Sequence, residues 1–181
     1  MNPLPYTLGP GGLVAWRLDK EAHRTTWDSG EGARLVGGRW NNPGTRVVYT
    51  SLDPATALLE VAAHSGFGTI DTRPHVLTSM AVTDLARVKI VNPADVPNPN
   101  WLRPGPPSAG QRAFGDDLVA RHAFVLIPSV LTSYSWNLIF DPSVATGGYV
   151  LRSQERFALD TRLNLPPITP PAATSAPAAV P

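Results

Sequence analysis

The turn Gly37-Gly38-Arg39-Trp40-Asn41-Asn42-Pro43-Gly44-Thr45 sets one arginine and one tryptophan among glycines and amides. Glycine lets a backbone approach a ligand closely, and a guanidinium beside an aromatic ring suits a flat, anionic one. Further along stand Tyr49 at the end of a strand-like run, Glu60 as the single acid of the stretch Pro54 to Ala63, and Ser129 just past the most apolar run of the chain. Each lies in a loop or at an element end, where a rigid scaffold presents functional groups. Each also has an ordinary reading. Arg39 can pair with a surface acid, Tyr49 can be a rim aromatic, Glu60 can hold its tip in water, and Ser129 after Pro128 is common turn chemistry. Trp136-Asn137 reads as a strand aromatic beside a turn amide, and His64 as a helix-end residue.

The elements that must position these groups follow from pattern. Leu13 to Leu18 is strand-like, interrupted by Arg17, and Asp19 to Leu35 is polar with Gly30 and Gly32 and reads as a loop. Arg46 to Thr50 is a strand of β-branched and aromatic residues. Asp53 is suited to cap a helix with Pro54 in its first position, and Ala55, Leu58, Leu59, Ala62 and Ala63 give that helix an apolar stripe ended by Gly66 and Gly68. The spacing predicts strands over His75 to Val82 and Ala86 to Val91, then a proline-rich surface loop from Asn92 to Ser108. Ala109 to His122 reads as a helix turning Phe114, Leu118 and Val119 inward. Ala123 to Ile127 is expected to be a central strand buried on both faces. Tyr134 to Phe140 and Tyr149 to Phe157 are further strands. Strands that do not alternate regularly with helices predict an α+β fold.

The 181 residues fit one domain, and 43% hydrophobic content is enough for a core. Residues 1–12 read as a loose lead-in, 13–163 as the folded domain, and 164–181 as a disordered Pro/Ala-rich tail without charge. A net charge of +1, from 15 basic and 14 acidic residues, offers no basic excess for nucleic acid. No apolar run is long enough to span a membrane, the N-terminus lacks the pattern of a signal peptide, and a cytoplasmic location is expected. The chain has no cysteine and 4 scattered histidines, so neither thiol chemistry nor a zinc site is expected.

Taken in order, these blocks resemble a known family. Gly30-Glu31-Gly32-Ala33-Arg34, Gly37-Gly38-Arg39-Trp40-Asn41-x-Pro43-Gly44, Val47-Val48-Tyr49-Thr50, Ala57-Leu58-Leu59-Glu60-Val61, Val125-x-Ile127-Pro128-Ser129 and Trp136-Asn137-Leu138-Ile139-x-Asp141-Pro142 together are similar to the RES domain. The likeness runs from about Trp16 to about Leu163. The Arg, Glu and Ser for which that family is named fall on Arg39, Glu60 and Ser129, while Asp141 stands where an Asn is usual. The resemblance implies an ADP-ribosyltransferase-like fold, with a central split, twisted sheet and a few flanking helices. It also implies a bacterial toxin that degrades NAD by hydrolysis or phosphorolysis and is held by an Xre-type antitoxin; some members modify proteins instead.

On that expectation Glu60, Arg39 and Ser129 are the catalytic candidates. Arg17, Arg39, Trp40, Tyr49, Ser129 and Asn137 are the candidates for holding NAD. Breaking the nicotinamide–ribose bond builds positive charge on the ribose, which a carboxylate such as Glu60 can stabilise. The pyrophosphate suits a guanidinium, Arg39 first and Arg17 second. Trp40 and Tyr49 can pack against the flat rings, and Ser129 can hold a ribose or phosphate oxygen. If inorganic phosphate is the acceptor, Arg17, Arg34 or Arg46 can contact it. No metal is required. The alternatives are a protein ADP-ribosyltransferase using the same site and a catalytically silent NAD-binding or interaction module.

Overall fold

A seven-stranded mixed sheet carries the molecule, in the order β4-β5-β6-β2-β1-β3-β7. The structure is a computed structural model and describes residues 12–132 and 134–164. The strands are β1 (Leu13–Lys20), β2 (Val48–Ser51), β3 (His75–Val82), β4 (Val88–Ile90), β5 (Phe124–Pro128), β6 (Trp136–Phe140) and β7 (Tyr149–Phe157). Among the described strands only β4 and β5 pair in parallel. The helices are α1 (Glu31–Val36), α2 (Pro54–Ser65), α3 (Phe67–Thr72) and α4 (Ala109–Arg121). The expected α+β fold is borne out. The lead-in and the Pro/Ala tail lie outside the described residues, apart from Gly12 and Asn164.

Side chains alternate across a strand, so register decides which residues share a face. Pairing of β2 with β6, and of β5 with β6, puts Tyr49, Ser51, Asn137, Ile139, Val125 and Ile127 on one face. Helix α4 covers part of that face, packing Leu118 and Val119 with Val125, Ile127, Ile139 and Trp40. Helices α2 and α3 cover the adjoining part, where Leu58, Val61, Ala62 and Ile70 meet Leu18 and Leu77. The opposite face buries Val48, Leu126, Leu138, Phe140 and Met80, closed over by Trp27, Ala145 and Tyr149.

The sheet is nearly parted in the middle. Strands β1 and β2 share one register pair, Trp16 with Ser51. Beyond it the Arg17 side chain reaches across, Nη1 donating to the Tyr49 carbonyl at 3.0 Å, while Asp19 holds the same guanidinium at 2.6 Å. At the outer edge β7 bulges opposite Ser79 and Met80, which pair with Ser153 and Leu151 and leave Arg152 unmatched. A bulge and a charged residue on an edge strand discourage pairing with another chain.

Several local expectations are corrected. Asp19 to Leu35 is not a plain loop. It forms a 3-10 turn, Glu21–Thr26, and helix α1. Neither has a fully buried residue, so no apolar stripe announces them; α1 is held instead by polar bonds, Arg34 to Glu31 at 2.8 Å and the Gly44 N–H to the Arg34 carbonyl at 2.7 Å. Helix α2 begins as expected, with the Asp53 carboxylate accepting from the Thr56 N–H at 2.7 Å. Its buried side is Ala57, Leu58, Val61 and Ala62, whereas Ala55, Leu59 and Ala63 face out. Gly68 does not end a helix but lies within α3. Strand β5 is buried throughout, yet it is second from the edge rather than central. The short β4 and the Asn92–Ser108 segment, with its 3-10 turns, cover that side.

Candidate active site

Glu60 leaves the middle of α2 rather than a loop or an element end, and meets the ends of two strands. Its Oε1 accepts from Ser129 Oγ at 3.0 Å and from Asn137 Nδ2 at 2.6 Å. Ser129 is the first residue after β5, and Asn137 is the second residue of β6. Behind them Ser51 Oγ donates to Asn137 Oδ1 at 2.8 Å, and the Leu131 N–H donates to Ser129 Oγ at 3.2 Å. The structure therefore brings together Glu60, Ser129 and Asn137, which the sequence marked separately, and adds Ser51. Nothing local marks Ser51, because its partner is 86 positions away along the chain.

The glycine turn faces this group from the α4 side. Arg39 is half-buried, and its Nη2 donates to the Gly105 carbonyl at 2.9 Å. Among the described residues no carboxylate lies within ion-pair distance of it. Desolvation pushes its pKa below the ordinary value, while the nearby Glu60 carboxylate and Tyr49 pull it back up. A guanidinium keeps its charge regardless.

The remaining candidates have other duties in this structure. Trp40 is 1% exposed and packs under α4 against Phe114 rather than lining an open wall. Tyr49 turns its hydroxyl into the turn, donating to Asn41 Oδ1 at 2.8 Å and accepting from the Trp40 N–H at 3.0 Å. Burial holds its phenol well above the usual range, against the opposing bond from Trp40. The close approach at Gly38 serves this tyrosine, since a Cβ there would sit 2.6 Å from its hydroxyl. Arg17 spans the parting between β1 and β2, with its guanidinium on Asp19 and the Tyr49 carbonyl. Arg34 and Arg46 are both turned to Glu31.

Residues that sequence reasoning missed hold the turn in place. Asp116 of α4 accepts from Asn42, from its N–H at 3.1 Å and from its Nδ2 at 2.8 Å. Gly115 lets the helix backbone lie directly on the Trp40 carbonyl. Asn41 is fully buried and donates to the carbonyls of Ala33, Asn42 and Thr45. Two surface hollows, of about 480 and 350 Å³, lie elsewhere, one by Arg87, Lys89 and His122 and the other by Ile70 and Phe157. Neither borders Glu60. Among the described residues no group of three or more His, Asp or Glu side chains converges as metal ligands, and no helix is long and apolar enough to cross a membrane.

This arrangement offers a carboxylate anchored through one oxygen and, among the described residues, an arginine without an acidic partner. Comparison with known proteins gives it a context. The family model described as "RES domain" matches residues 14–160. A "Prs ADP-ribosylating toxin" of Sphingobium sp. (strain YBL2) is 30% identical over 155 residues, covering 82% of this chain and 94% of that protein. A "Toxin Res" of Photorhabdus laumondii subsp. laumondii is 27% identical over 158 residues, covering 83% and 97%. The fold is similar to that in the crystal structure of the M. tuberculosis MbcT-MbcA toxin-antitoxin complex, with a TM-score of 0.64, 23% identity, and coverage of 80% of this chain and 84% of that one.

Proposed function

We infer that this chain, which belongs to the RES domain family, is a toxin that consumes NAD by breaking the bond between nicotinamide and its ribose. The observation that carries the reading is Glu60 held through one oxygen by Ser129 and Asn137, in a chain whose residues 14–160 match the RES domain. An anionic dinucleotide with a ribose that becomes cationic in the transition state needs one group of each sign, held apart.

In this reading the pyrophosphate takes the Arg39 guanidinium, whose fork matches phosphate oxygens. The C1′–N bond breaks with its electron pair passing to the nicotinamide nitrogen, which quenches the ring's positive charge, so the leaving group needs no acid. Positive charge gathers at C1′ and O4′ of the ribose. Glu60 stabilises it as a fixed charge and orients the incoming nucleophile, accepting its proton as the new C1′–O bond forms. Oε1 is occupied by Ser129 and Asn137, which leaves Oε2 for this work. Tyr49 and Trp40 contribute by fixing the turn that carries Arg39, and Arg17 by joining the two parts of the sheet behind it.

The acceptor can be water, phosphate or a protein. Transfer to a protein is a second reading, favoured by the likeness to the ADP-ribosylating toxin of Sphingobium. An antitoxin that covers the site, of the Xre type, is the expected partner, supported by the relatives named as toxins and by the likeness to a chain from a toxin–antitoxin complex. NMR of NAD incubated with the purified protein tests the reading. Release of nicotinamide is expected. ADP-ribose, its 1-phosphate or a labelled protein identifies the acceptor, and intact NAD in buffer, with added phosphate and with added cell lysate rejects the reading.

A further inference from the structure

The bonds around Glu60 have a forced polarity. A carboxylate oxygen can only accept, so the group 2.6 Å from Oε1 must be the amide nitrogen of Asn137. Its carbonyl Oδ1 then points the other way and must accept, so the Ser51 hydroxyl 2.8 Å from it must donate. On the other side the Leu131 N–H can only donate to Ser129 Oγ, so the Ser129 proton is directed at Oε1. Ser51 is 2% exposed, Ser129 5% and Asn137 9%. These side chains spend their hydrogen-bonding capacity inside the protein and present little surface to a ligand. Oε2 has no hydrogen-bond partner among the described residues and is not a buried unpaired atom.

We propose that Ser51 is a positioning residue, which locks the amide of Asn137 so that Asn137 and Ser129 anchor Oε1 of Glu60 and leave Oε2 as the one oxygen turned to substrate. Ser129 and Asn137 then act through Glu60 rather than by holding NAD. The inference rests on the reading of Glu60 as the group that acts on the ribose. Without the Ser51 hydroxyl the amide is oriented by its bond to Glu60 alone, so swinging or rotating it away from Oε1 costs less. The rotated form sets Oδ1 against Oε1, oxygen on oxygen, and Glu60 loses a donor and its fixed orientation.

The test compares NAD turnover by Ser51→Ala, Ser51→Thr, Asn137→Asp and Glu60→Gln in the full chain. Ser51→Ala is expected to lower kcat about tenfold, as for one lost buried hydrogen bond, with the KM for NAD changed less than about twofold. Ser51→Thr keeps the hydroxyl and should restore most of the rate. Asn137→Asp removes the amide donor and sets an oxygen against Oε1, so its kcat should fall at least as far as that of Ser51→Ala. If Glu60→Gln is inactive while Ser51→Ala keeps the parent kcat, the positioning role is wrong and the proposed function stands. If Glu60→Gln turns over NAD fully, the reading of Glu60 fails and this inference with it. A rise in KM for Ser51→Ala equal to its loss in kcat, or the parent kcat in Asn137→Asp, also overturns the proposal.

Discussion

Gly115 and Trp40 touch through their backbones: a methyl group at position 115 would overlap the Trp40 carbonyl. The contact joins α4 to the turn that carries Arg39, and Asp116 adds its bonds to Asn42 beside it. Gly115→Ala should therefore destabilise the protein by about 1–3 kcal/mol or more, although alanine favours a helix. Gly32→Ala in α1, where a Cβ meets nothing within 4 Å, should instead stabilise slightly, by roughly 0.5–1 kcal/mol. Denaturant unfolding of the two variants checks the contrast, and equal effects would show that the contact is not the cause.

Glu60→Gln separates charge from shape. The glutamine carbonyl can still accept from Ser129 and Asn137, so the thermal midpoint should stay close to that of the parent protein. NAD loss should fall by about 10²–10³-fold or more, the scale of a removed electrostatic contact in a transition state. A variant that is folded and fully active would refute the assigned role.

Arg39→Ala should weaken NAD binding with little effect on folding. The arginine has no carboxylate partner to strand among the described residues, and its one hydrogen bond is to the Gly105 carbonyl. A KM increase equivalent to about 2–5 kcal/mol is expected, with an unfolding free energy within about 0.5 kcal/mol of the parent. Calorimetry with a non-cleavable NAD analogue gives the affinity directly.

Tyr49 makes stability sensitive to alkali. Burial raises its folded pKa above the ordinary value of 10.0, so the folded state holds the proton more tightly. That stability is fully present below pH 10.0 and is lost as pH rises through the folded value. Tyr149, raised by burial and by the Asp28 carboxylate, works in the same direction. Tyr49→Phe should cost about 1–3 kcal/mol at neutral pH, through unpaired Asn41 and Trp40 groups, but lose less stability than the parent between neutral pH and about pH 11. Unfolding curves across that range test it.

The sequence made the scaffold more legible than the site. Strands β3 and β7 fall on the expected residues, and α2 starts at its Asp53 cap, because alternation and capping are local signals. Trp40 and Leu59 show where local signals end. Trp40 reads like a ligand-facing aromatic, yet α4 folds over it; Leu59 fits an apolar stripe by composition, yet α2 rotates it outward to 38% exposure and turns Leu58 and Val61 in. Arg39, Glu60 and Ser129 could be named from the family resemblance. That Ser129 and Asn137 share one oxygen of Glu60 depends on where β5 and β6 end, which sequence order alone does not reveal.

The near-parting of β1 from β2 bears on how the molecule loses its structure. One register pair and one arginine link β4-β5-β6-β2 to β1-β3-β7, so within the sheet the cooperativity of unfolding crosses that line through few bonds. Helix α2 touches both parts and carries Glu60, and it is therefore the splint of the assembly. Amide protons on the two sides should exchange as two units once α2 is loosened, and the site, whose Ser51, Ser129 and Asn137 all lie on the β4-β5-β6-β2 side, would be lost when that part opens or α2 lifts away.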